Sequence, residues 1–224
     1  MSTAHLRLTY DGPALQAHTM DVRALAPALL AFGDLCEETG KLIYGEATTT
    51  RVEVKASFRT GSFGIDLSVA PQLMQQVMSW LHGDTASSIA NGAAILGVVG
   101  ATGKGLIDAL RWLKNRRIKR IEATPDGRRI LTQDDDSLVV EENVILLLQS
   151  RIIRTHLQRV IEPIEHDGIN KVAFGDDSNI RVVIEREDAQ YFHVPPPEDD
   201  LILEESRVIP FSIVSISFKD DNKW

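Results

Sequence analysis

The chain has 224 residues, a formal net charge of -8 and a sequence pI near 5.3, with 43% hydrophobic and 25% charged residues. That is the composition of a packed globular protein, and the acidic balance argues against a general nucleic-acid coat, which carries excess positive charge. Cys36 is the only cysteine, so an intrachain disulfide and a multi-cysteine zinc site are excluded, while the opening MSTAHLRLTYDG lacks the basic-then-apolar pattern of a secretory signal.

HLRLTY alternates apolar and polar residues and predicts a strand, closed by the turn Asp11-Gly12-Pro13. Asp21 is placed to cap a helix whose inner face carries Val22, Leu25, Leu29, Phe32 and Leu35. Pro27 either kinks that helix or begins its main part, and Gly40 or Gly45 ends it. Two alternating runs follow. One sets Val52, Val54, Ala56 and Phe58 on a face, the other Phe63, Ile65, Leu67 and Val69, which predicts a hairpin with one buried and one wet face. PQLMQQVMSWLHG predicts a short amphipathic helix starting at Pro71.

Further on, IKRIEATPDGRRILTQ predicts a second hairpin turning at Thr124-Pro125-Asp126-Gly127. Asp134 to Ser137 reads as a loop, and NVILLLQSRIIRTHLQRVIEPI as mostly helix, stopped at Pro163. Strands are expected at 171–174, 180–185 and 207–218, with VPPPEDD as an extended connector. The end, SIVSISFKDDNKW, suggests a strand and turn whose next strand lies beyond the chain. The expected class is α+β, in three parts: an N-terminal strand-helix-hairpin-helix module over 1–83, a Gly/Ala-rich apolar helical segment with a basic end over 84–117, and a second antiparallel α+β module over 118–224.

The middle part carries the richest pattern. Gly97, Gly100 and Gly103 fall three apart after AAIL, and an acid, Glu122, ends the strand that would follow the next helix, which mimics a dinucleotide-binding unit. Against this, hairpin neighbours point to antiparallel sheet, and the Walker pattern fails at Val98 and Gly105. A helical reading accounts for more. Ala93, Gly97, Ala101, Gly105 and Ala109 recur every fourth residue as a small-residue stripe, flanked by Leu106 and Leu110 at helical spacing. Such a stripe lets two backbones approach closely. From Thr85 to Gly103 there is no charge, a length near the roughly 20 residues that cross a bilayer, but with few large apolar residues. Trp112 at its end suits a membrane interface.

A basic run follows: Arg111, Lys114, Arg116, Arg117, Lys119 and Arg120, then Arg128 and Arg129. It suits anionic headgroups or nucleic-acid phosphates, or else it forms a solvated face balanced by Asp134, Asp135 and Asp136. Trp112 is its one aromatic neighbour, which gives base stacking little support. Enzyme signals are sparse. The six histidines are scattered, and no catalytic, cofactor or metal set is assigned. His166-Asp167 with Asp176-Asp177 is a weak metal arrangement better read as turn caps.

LRLTYDGPAL, HTMDVRALAPALLAFGDL, KASFRTGSFGIDL and GLIDALRWLKNRRIKRIE together resemble a bacterial and prophage-encoded protein family of unknown function, over most of the chain. The resemblance implies a chain that continues past the NKW end and, by association, a role in phage–host conflict. It implies no activity and no site residue. The expected function is therefore a non-enzymatic, self-associating protein of the cytoplasm or a peripheral, conditional inner-membrane location. Its partner would be a second copy or an anionic membrane surface, with nucleic acid less favoured. Ala93, Gly97, Ala101, Gly105, Ala109, Leu106, Leu110 and Trp112 would serve packing or insertion, and the six cations from Arg111 to Arg120 would serve anionic contact. The alternatives are a nucleotide or small-ligand protein using Gly97–Gly105 and a nucleic-acid-binding regulator using 111–129.

Overall fold

In the computed structural model, residues 4–55, 63–71, 104–175 and 180–196 are described. The fold is α+β, built on two antiparallel sheets. β1 (Ala4–Asp11) lies at the middle of a five-stranded sheet ordered β2-β3-β1-β7-β8, where β2 is Thr50–Lys55, β3 Phe63–Pro71, β7 Lys171–Gly175 and β8 Ile180–Glu185. β4 (Ile118–Thr124), β5 (Gly127–Thr132) and β6 (Ser137–Val140) form a meander of three. The helices are α1 (Val22–Tyr44), α2 (Leu106–Leu113), α3 (Glu142–Gln149) and α4 (Arg151–Ile161).

The large sheet unites the two halves of the sequence. β1 pairs with β3 on one side (Leu8 opposite Ile65) and with β7 on the other (Leu8 opposite Phe174). Strands from both expected modules, 1–83 and 118–224, thus build one sheet. Alternation explains how that sheet makes a core. Leu8, Tyr10, Leu67, Val172, Phe174 and Ile184 are all buried, at every second position of their strands.

α1 begins as its cap predicts, with the Asp21 carboxylate accepting from the Arg23 N–H at 2.8 Å. Pro27 sits inside the helix rather than at its start. Ala28, Ala31, Phe32, Leu35, Cys36 and Thr39 form its buried stripe at helical spacing. Val22, expected on the inner face, is 68% exposed instead. Gly45 ends the helix at φ 101°, a conformation that glycine adopts without a Cβ penalty.

The remaining differences are local. Pro71, expected to start a helix, pairs with Thr50 as the last residue of β3; the rest of the expected amphipathic helix, 72–83, lies outside the described residues. Asp134 to Asp136 form a hairpin turn, and Ser137 opens β6, a strand of four residues that the sequence did not announce. The long helix expected from Asn143 breaks at Ser150, whose hydroxyl accepts from the Ile153 N–H and so caps a second helix, α4. The strand expected over 207–218 and the connector from 197 onward lie outside the described residues.

Candidate functional site

α2 resolves the described part of the apolar segment. Gly105 is its N-cap, in extended conformation at φ -107° and ψ -169°. A single helix running from Ala93 through Ala109 is thus interrupted at Gly105; Ala93, Gly97 and Ala101 lie outside the described residues. Leu106, Ala109 and Leu110 are at most 3% exposed and belong to the chain's own core. Trp112 packs against that core from its rim. Of the residues expected to serve oligomer packing or insertion, Leu106, Ala109 and Leu110 are thus packed inside the chain. Among the described residues no helix is long and apolar enough to cross a membrane.

The end of the expected nucleotide loop lies in the same place. An unsatisfied helix N-terminus attracts phosphate through free N–H groups. Here the Asp108 carboxylate accepts from the Gly105 N–H at 3.2 Å, and the helix supplies its own anion. Gly97, Gly100 and Gly103 lie outside the described residues.

The basic run is largely neutralised. Arg111 pairs with Asp188 at 3.0 Å and donates to the Val183 carbonyl of β8. The Arg116 guanidinium pairs with Asp136, donates to the Trp112 carbonyl at 2.8 Å and the Leu113 carbonyl at 3.1 Å, and lies 5.0 Å from the Trp112 ring centroid. It is a cap for the C-terminus of α2, where a cation meets unpaired carbonyls. Lys119 pairs with Asp135 at 2.8 Å, Arg120 with Glu122 at 2.7 Å, and Arg128 grips both oxygens of Glu142. The charge and hydrogen bond of Lys119 hold the Asp135 carboxyl below its usual range. Arg111, Arg116, Lys119 and Arg120, expected to meet an anionic surface, thus each have a counter-charge within the chain. Among the described residues Lys114, Arg117 and Arg129 have no ion-pair partner.

No catalytic constellation forms from what is described. His193 meets Glu165 at 2.5 Å and Arg186 meets Asp167 at 3.1 Å, which tie the turns flanking β7 and β8 together at the surface. His166 does not join them, and Asp176 and Asp177 lie outside the described residues. Among the described residues no three His, Cys, Asp or Glu side chains converge to hold a metal ion. Burial pushes the Cys36 thiol and the Tyr10 hydroxyl well above their ordinary pKa values. Tyr10 uses its hydroxyl structurally, donating to the Val160 carbonyl at 2.7 Å.

The surface feature that sequence reasoning did not single out is β2. Arg51 and Glu53 meet at 2.9 Å on its outer face, with side chains 69% and 57% exposed. Val54, on the opposite face, is 60% exposed although its neighbour on β3, Leu67, is buried. The alternation in RVEVK revealed the strand, but its position at a sheet edge depends on β3 taking β1, on the far side of α1 in sequence, as its other neighbour. Comparison with known proteins finds no matching family model, no matching curated protein and no matching solved structure. The chain is thus described by its own geometry: an α+β protein in which, among the described residues, β2 is an edge strand of the larger sheet.

Proposed function

We propose that this is a non-enzymatic protein whose role is self-association. The observation that carries the reading is β2: among the described residues it is paired on one side only, and it leaves Val54 60% exposed at the edge. Strand N–H and C=O groups without a partner strand among the described residues, beside an apolar side chain, are a template for another strand. Internal neutralisation of the basic run moves the reading away from lipid and toward protein contact. The resemblance noted in the sequence would set such an assembly in phage–host conflict. Sedimentation velocity over a concentration series tests it. A sedimentation coefficient that rises with concentration supports self-association, and a monomer throughout refutes it.

A second reading, contact with an anionic surface, rests on Lys114, Arg117 and Arg129, the cations of the 111–129 run that have no ion-pair partner among the described residues. Flotation with anionic vesicles at low and physiological salt decides it; binding lost when Arg117 and Arg129 are neutralised would favour it.

A further inference from the structure

The two sheets present four edge strands among the described residues, and they differ in how open they are. β4 has a register shift between Ile118 and Arg120, which breaks the regular ladder. β6 has four residues only. At β8 the Arg111 guanidinium already occupies the Val183 carbonyl. Each is a known way of blunting an edge. β2 has none of them: its six residues pair with β3 from Thr50 to Lys55 without a register shift, and they contain no proline.

We infer that β2 pairs antiparallel with β2 of a second copy, about a two-fold axis through Val52. The inference rests on the self-association proposed above and names its interface. Charge complementarity selects both the partner and the register. With Val52 opposite the partner's Val52, Arg51 stands opposite the partner's Glu53 and Glu53 opposite the partner's Arg51. Two opposite-charge pairs form on the outer face. On the other face Val54 lies opposite the partner's Thr50, covering an apolar side chain that the isolated chain leaves out. All five pairs, Thr50 to Val54, fall inside the observed strand. Shifting the axis to Glu53 sets Glu53 against Glu53 and Arg51 against Lys55, two kinds of like-charge contact that destabilise directly opposed positions. Shifting it to Val54 leaves only residues 53–55 of β2 in register. An isologous contact of this kind closes on itself as a dimer and joins the two five-stranded sheets into one.

The test uses the full chain. Sedimentation velocity is run on wild type, R51E, E53R and the double variant R51E/E53R, with melting curves to verify folding. Wild type is expected to dimerise, each single variant to weaken the dimer roughly ten-fold or more by setting like charges opposite each other twice, and the double variant to recover within a few-fold of wild type. In parallel, Val52→Cys is expected to give a disulfide-linked dimer on mild oxidation and Val54→Cys not, with the buried Cys36 silent in both. A wild-type dimer indifferent to the single variants overturns the β2 interface while leaving self-association standing. A double variant as weak as the singles, or cross-linking at Val54 instead of Val52, overturns this register. A wild-type monomer at all concentrations overturns both the interface and the proposed function.

Discussion

Tyr10 links the central strand to the end of a helix. Its hydroxyl reaches the Val160 carbonyl, one of the last-turn oxygens of α4 that the helix itself leaves free. Tyr10→Phe removes the donor and keeps the ring, so the buried carbonyl loses its side-chain partner. A loss of about 1–3 kcal/mol is expected, read as a lower urea midpoint with unchanged slope. Cys36 is fully buried, with its thiol pushed upward by desolvation. At neutral pH it should resist a thiol reagent in the native protein and react once the chain is unfolded in denaturant; rapid native labelling would contradict the packing of α1. Asp135 shows a pH-dependent contribution. Its carboxyl is held down by Lys119, so its folded-state pKa lies below the unfolded one. The stabilisation is present above the ordinary carboxylate value of about 3.9 and fades as pH falls through the lower folded value. Asp135→Asn should therefore lower the melting temperature at pH 7, by a small amount for so exposed a pair, and the gap to wild type should close on acidification.

Elements defined by adjacent residues were the ones most legible in the sequence. The β4–β5 turn at Pro125-Asp126 follows from turn chemistry, and Gly127 completes it at φ 138°. There a Cβ would run into the Val140 carbonyl oxygen of β6. Gly127→Ala is expected to destabilise by more than about 1 kcal/mol, checked by thermal melting, because both the backbone angle and the close approach oppose a side chain. Elements whose form depends on tertiary surroundings were harder to read. Ser150 is a fair helix residue in isolation and became a cap because the chain turns there between α3 and α4. α2 looked like the tail of a longer helix, since Leu106, Ala109 and Leu110 continue the periodicity of the residues before them. Its actual start is set by Asp108 folding back on Gly105. The basic run was legible as charge but not as ion pairs, since Asp188 and Glu142 reach it only through the fold.

For the molecule as a whole, the strand order was the least visible feature. Sequence reading located β1, β2, β3, β7 and β8 but grouped them by proximity along the chain, whereas β1 lies between β3 and β7. A fragment ending at residue 83 would leave β1 without β7 and α1 without α4. Expressed alone, it should give no cooperative unfolding transition, whereas the full chain should; a cooperative fragment would favour the two-module view. The same arrangement bears on how the protein is made. Arg7 must wait for Gly175 before its strand has both neighbours. At translation speeds of about 5–20 residues per second, that interval is on the order of ten seconds. During it one side of β1 is an exposed nascent edge, so the ribosome-bound chain is at its most vulnerable to misassembly before β7 emerges.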